Sequence, residues 1–488
     1  MGRSFNAMSW SYSGVAVNVV MQIAASILLA RTLGAHITGV FAFGLLAFPP
    51  FRFLCEFGLG SALVEKPLLS NGDIQLAISR SAILALVTAV AWLICIRLLA
   101  ALMNQEQYVS ALNCFALVLL CLPIQTICAS LLIKHLDQKF LQVSSLVAYA
   151  GGYMAIGVYG ATHDWGVWSL VLGFVAQNVI ATVMLLVHTR LELKLKFRGD
   201  ASFLWHFGSR AMAINISNWL TSSLDNMAVA WFFGTRTLGV YSVAYGLVRS
   251  PADKIVFTLQ NVLFPASVLI RDDRERLAKG CIAVIDAVFI VTGPVFCSVA
   301  ILARTIVDAL YGPAWYEAAS VLPPFAISMV FHCLTVIVSA LLWGTGAVNR
   351  DMRLQWFAAG VLFTAVIVAA RFSFVAVAWT VLPVTALRAI CGVVVLLATV
   401  GLGTRRMLRA FLSGSAMVIL VAPTLYIIDA YLRRDEMVAL ARLGWEVSVG
   451  SALWIGAIAL LRNRLITPEL QTGLQSLRIF LGRGKRHA

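Results

Sequence analysis

Charge is what this sequence has least of. Asp, Glu, Lys and Arg make up 12% of its 488 residues, about half the share found in a soluble domain. Hydrophobic residues make up 60%. Most of the apolar runs have no polar face to turn towards water, which excludes a large soluble protein. Also missing are segments of about ten residues with alternating polarity, which excludes a transmembrane β-barrel. There is no G-x-x-x-x-G-K-[S/T] loop, so the chain is not expected to hydrolyse nucleotide in the P-loop manner. H-E-x-x-H, a Cys/His cluster and a nucleophile elbow are absent too, and no cofactor is expected. The connections between apolar runs are too short for a glycosyltransferase or hydrolase domain, or for the large outer loop of a glycan polymerase. The nine cysteines lie in or beside apolar runs, and none forms a loop pair, so neither disulfides nor a thiolate metal site is indicated.

What is present is a series of membrane-length apolar runs. They predict an all-α polytopic membrane protein of about fourteen transmembrane helices. The first run lacks a small-residue cleavage site and reads as a retained helix, not a signal peptide. The net charge of +15 does not point to nucleic acid. Most of the 37 Lys and Arg fall in the tails and in alternate loops, which places both termini in the cytoplasm. Some contact with anionic lipid follows from the same charge.

The second half repeats the first. An offset of 200 residues sets Asn18 against Asn218, Ala30 against Ala230 and Gly34 against Gly234. It also sets Gly39-Val40-Phe41 against Gly239-Val240-Tyr241, and Gln22 against Ser222. Six spans per copy is an even number, so the copies run in the same sense, with a ligand site expected between them near the midplane. The expected layout is an N-lobe over 1–200, a C-lobe over 201–404, two added helices over 405–461 and a basic cytoplasmic tail over 462–488. The leucines of that tail have helical spacing, as an inner-surface helix would.

Residues that are expensive in a bilayer mark the candidate site, since a charge at its centre costs about 2.5 to 3.5 kcal/mol on insertion scales. Arg52, Arg249, Lys254 and Arg388 all fall inside apolar spans. A guanidinium donates in pairs to phosphate oxygens, so these cations suit a phosphate or diphosphate ligand. Arg52 and Glu56, and Arg249 and Asp253, are spaced i, i+4 and could equally form internal pairs. Asn18, Gln22, Asn218 and Ser222 form polar stripes expected to line a cavity or meet neighbouring helices. Asp225 has no basic residue within one turn; it either pairs with another helix or holds a coupling H⁺ or Na⁺. His332 reads as a packing histidine.

The stretch from Asp225-Asn226 through Gly234 to Leu238-Gly239-Val240-Tyr241, with Tyr245-Gly-Leu-Val-Arg249-Ser-Pro251, resembles bacterial polysaccharide-biosynthesis flippases. So do Phe264-Pro265-Ala266, the charged run from Arg271 to Leu277, and the opening from Ala30-Arg31 to Phe41. The match is to the colanic-acid-exporter-like branch of the multidrug/oligosaccharidyl-lipid/polysaccharide exporter superfamily. The resemblance implies two six-helix lobes around a central cavity that opens to each side in turn. It implies undecaprenyl-diphosphate-linked oligosaccharide as substrate, carried from the cytoplasmic to the periplasmic face of the inner membrane, and an ion gradient as drive. It also implies a place beside the glycosyltransferases and polymerase of one pathway. By position, Arg52 and Arg249 take the cavity role. A cation-coupled multidrug antiporter and a peptidoglycan-precursor flippase of the same superfamily are the alternatives.

Overall fold

The computed structural model describes residues 2–66, 69–135, 137–191, 194, 196, 202–269, 273–401, 404–432 and 437–465, with side chains described for a smaller set that begins at Val17. In order the helices are α1 (Gly2–Glu56), α2 (Leu59–Glu65), α3 (Asn71–Leu102), α4 (Val109–Asn113) and α5 (Phe115–Lys134). Then come α6 (Gln138–Ala148), α7 (Ala155–Thr162), α8 (Val167–Thr189) and the long α9 (Ser202–Leu269). The remainder are α10 (Arg274–Ile301), α11 (Ala303–Leu310), α12 (Tyr316–Gly344), α13 (Val348–Ala369), α14 (Phe374–Val400), α15 (Thr404–Leu432) and α16 (Ala439–Leu465).

Among the described residues there is no strand, and ten helices are long and apolar enough to cross a membrane. The protein is an all-α, multi-pass membrane protein. Residues beyond 465 and Arg271-Asp272 lie outside the described set, and with them the expected surface tail and part of the charged run.

α3 shows why such a helix suits lipid. A capping box starts it: Ser70 Oγ accepts from the Asp73 amide at 3.2 Å, and Asp73 accepts from the Ser70 amide at 3.0 Å. One face buries Ser81, Ala85, Thr88, Trp92 and Ile96. The opposite face exposes Leu86, Val87, Val90, Ile94 and Leu98, which are just as apolar. With lipid on that side, helix association rests on close packing and internal hydrogen bonds more than on removing apolar surface from water. The buried Trp92 indole accordingly donates to the Leu112 carbonyl at 3.0 Å.

The repeat is visible in the backbone. α1 and α9 are each two helical legs joined at a glycine, with φ 73°, ψ 174° at Gly34 and φ 80°, ψ 178° at Gly234. That region is essentially closed to residues with a Cβ. Five residues further on, the two second legs touch backbone to backbone. A Cβ on Gly39 would be driven into the Thr235 carbonyl oxygen, and one on Gly239 into that of Ala35. The contact is reciprocal under the 200-residue offset, as a pseudo-two-fold contact must be.

The chain forms two compact units, Met1–Ser242 and Val243–Ala488. At the centre of the first, Phe41 and Phe48 from α1, Trp92 from α3, Phe115 from α5 and Phe174 from α8 make an aromatic cluster. Phe48 meets Trp92 edge-on at 5.6 Å, and Trp92 stacks on Phe115 at 5.7 Å. In the second unit α12 is the most enclosed helix, with Val321, Leu322, Phe325, Ala326 and Ile337 fully buried against neighbours that include α10 and α14.

Candidate functional site

In the second unit the second leg of α9, α12 and α14 run side by side in the same direction. Tyr245 meets Phe325 at 5.2 Å and Asp253 meets His332 eight and seven residues further along their helices. Gly392 of α14 faces Val338 of α12. Arg249 lies fourteen residues past Thr235, His332 sixteen past Tyr316 and Arg388 fourteen past Phe374. At 1.5 Å per residue all three sit about 21 to 24 Å along their helices, at one depth.

The groups form a connected network. The Arg249 Nε–H donates to Asp253 Oδ2 at 2.8 Å, and its Nη1 donates to the Tyr245 hydroxyl at 2.7 Å. The guanidinium also lies 5.7 Å from the Tyr245 ring centre, within cation–π range. Asp253 Oδ1 lies 3.0 Å from His332 Nε2. The Arg249 side chain is 27% exposed and that of Asp253 47%, so the network opens on one side.

Arg388 lies within electrostatic range of Arg249 and of Asp351. The buried Asp351 carboxylate accepts from the Ser339 hydroxyl and the Trp343 indole, each at 2.8 Å. Among the described residues the Nε of Arg388 is buried without a hydrogen-bond partner. A donor left so costs about 1 to 3 kcal/mol.

The other expected site residues are placed as follows. Arg52, in the first unit, donates to Glu56 at 2.8 Å and is 52% exposed; Thr126 also donates to that carboxylate. Lys254 follows Asp253 on the same leg and is half-buried. Asn18 is buried, accepts the Gln22 amide at 2.7 Å and reaches Ser145 at 3.5 Å. Asn218 and Ser222 are exposed, and Ser222 donates to the Trp219 carbonyl. Asp225 is 4% exposed and accepts from the Tyr241 hydroxyl at 3.0 Å and the Asn226 amide at 3.2 Å.

The structure thus brings Arg249 and Arg388 together, with Asp253 linking Arg249 to His332. Sequence reasoning missed Tyr245 and treated His332 as packing. The i, i+4, i+8 spacing of Tyr245, Arg249 and Asp253 on one helix face was the available signal. Nothing in the sequence ties His332 to them, because the contact crosses between helices.

Residues 28–320 match the model of a family described as polysaccharide biosynthesis protein. The chain is 20% identical over 376 residues to the lipopolysaccharide biosynthesis protein WzxC of Escherichia coli strain K12, covering 76% of each chain. It is 24% identical over 327 residues to the succinoglycan biosynthesis transport protein ExoT of Rhizobium meliloti, covering 66% of this chain and 65% of that one. The solved structure of the lipid II flippase MurJ in an inward closed conformation shares the fold, with a TM-score of 0.74 at 14% identity, over 93% of this chain and 99% of that one. The chain belongs to the polysaccharide biosynthesis protein family, whose model it matches over more than half its length.

Proposed function

We propose that the protein carries undecaprenyl-diphosphate-linked oligosaccharide units from the cytoplasmic to the periplasmic face of the inner membrane for the building of a surface polysaccharide. Glycosyltransferases of the same pathway load the lipid, and a polymerase consumes the delivered unit. The cycle is alternating access, driven by an H⁺ or Na⁺ gradient, with both termini in the cytoplasm.

The observation that carries this reading is the nearness of two guanidinium groups, Arg249 and Arg388, at one depth in the second unit, one partly exposed and the other with a buried Nε that has no hydrogen-bond partner among the described residues. A diphosphate bearing polar sugars needs such a site, because its charge cannot otherwise enter a low-dielectric interior. Lys254, next to Asp253, adds positive charge to this cluster, and Arg52 is a further candidate cation on the first unit. Exposed Asn218 and Ser222 offer hydrogen bonds to sugar hydroxyls, as do Asn18 and Gln22 once their mutual bond opens. Multidrug antiporters handle mostly cationic compounds, which an arginine pair would repel. A peptidoglycan precursor also carries a diphosphate, and here the family and the named work of the relatives on lipopolysaccharide and succinoglycan favour polysaccharide.

The test is reconstitution in vesicles with a fluorescent undecaprenyl-diphosphate oligosaccharide, scoring exposure on the far leaflet. Wild-type protein should move it. Arg249→Ala and Arg388→Ala should each slow transport at least about tenfold, the loss of about 1.4 kcal/mol of binding. Wild-type rates in both variants would overturn the site. Preference for a cationic dye over the lipid would overturn the substrate class.

A further inference from the structure

Asp253 is shared. One carboxylate oxygen holds Arg249 and the other faces His332 Nε2. If a diphosphate is to take the Arg249 guanidinium, Asp253 is left facing a second anion inside the membrane. It then needs a replacement positive charge, and the imidazole is already in place at 3.0 Å. With Nε2–H donated to Asp253, Nδ1 is the nitrogen that takes up a proton.

The charged groups acting on His332 are Arg249 and Asp253 from α9 and Arg388 from α14. From the other helices packed on α12, Asp351 of α13 acts on Arg388, α10 carries the buried Asp286, and α11 carries Arg304 and Asp308. Cys333 adjoins His332 on its own helix. The three groups acting directly on His332 sum to one positive charge. Protonation raises this to two positive charges, which balance the two negative charges of a diphosphate diester.

We infer that His332 is the proton-linked positioning residue of the anion site: it takes up one proton as the diphosphate binds, and as an imidazolium holds Asp253 while Arg249 turns to the ligand. The inference rests on the diphosphate reading above and adds a charge-balancing proton to its anion site, one that travels with the ligand and is therefore not the ion whose inward flow drives the cycle. By linkage, the proton tightens anion binding and the anion tightens proton binding by the same factor. The one bond made is Nδ1–H: the proton comes from hydronium, which is left as water, and on release it returns to water as the Nδ1–H bond breaks.

The experiment is calorimetric titration of the full-length protein in nanodiscs with farnesyl-diphospho-glucose, between about pH 5.5 and 8, where an imidazole titrates. This diester keeps its charge throughout, so any slope belongs to the protein. Wild-type affinity should fall with rising pH, approaching about tenfold per unit on the alkaline side. Two buffers of different ionisation enthalpy should report uptake of up to one proton per ligand. His332→Gln should bind more weakly at low pH and show no slope. His332→Arg, a fixed positive charge, should bind without pH dependence. A wild type that binds with no slope, or His332→Gln with the wild-type slope, overturns the inference and leaves the anion site standing. A wild type that binds at no pH overturns the anion site, and the inference with it.

Discussion

The centres of the two units are built from equivalent helices and filled with opposite chemistry. In the first, the second leg of α1 sends Phe41 and Phe48 against Phe115 of α5 and Phe174 of α8. In the second, the matching leg of α9 sends Tyr245, Arg249 and Asp253 against His332 of α12, with Arg388 on α14. Under the 200-residue offset Leu45, Pro49 and Phe53 stand where Tyr245, Arg249 and Asp253 stand. A similar change separates the two copies of the hinged helix inside the first unit, where the counterparts of Ala25 and Phe41 are Asp225 and its hydrogen-bonded partner Tyr241. Each change adds a polar group together with a partner, because a lone one in the bilayer interior costs too much. The comparison assigns different work to the two centres: one holds its helices together, and the other keeps charge available.

Breaking the aromatic centre should have the largest effect. Phe115→Ala empties a fully buried site and should cost about 3 to 5 kcal/mol. This is read as lost membrane-inserted protein or a lowered thermal midpoint; normal stability would mean the rings are not the scaffold. At the glycine hinges, Gly34→Ala and Gly234→Ala should each cost about 1 to 3 kcal/mol from backbone strain alone, since among the described residues no atom lies within 4 Å of the added Cβ at either position. Equal costs sharpen the repeat, and a cost at only one hinge would break it. The smallest effect should come from rebuilding the first copy in the second. Tyr241→Phe should cost about 1 to 3 kcal/mol by leaving a buried carboxylate short of a donor. Asp225→Ala with Tyr241→Phe should recover most of that loss. Transport by the double variant that no longer responds to pH or membrane potential would return Asp225 to an ion-coupling role. An unchanged response would leave it structural.

Much of the fold was legible because lipid imposes a simple rule: a spanning segment must satisfy its backbone internally, so apolar length reads as helix. The glycine pairs were legible for a similar reason, since only glycine takes the kink at 34 and 234, and only glycine allows the contact at 39 and 239. The site was legible in part. Arg249 and Arg388 could be singled out by the cost of a charge at their depth, while His332 could not, because a lone histidine in an apolar helix looks the same whether it packs or pairs.

By itself the sequence determined the all-helical membrane class, the paired glycines at 34 and 234 and at 39 and 239, and the residue types that can meet a phosphate. These follow from local chemistry: hydropathy, helical period and the glycine backbone. Only the tertiary structure decided which of those residues act together. It joined Tyr245, Arg249, Asp253 and His332 into one network and set Arg388 beside it with a buried Nε that has no hydrogen-bond partner among the described residues. It also gave Arg52 to Glu56 and Asp225 to Tyr241. The reason is physical: the value of a buried charge depends on partners that reach it from other helices, and that distance is not written in any one of them.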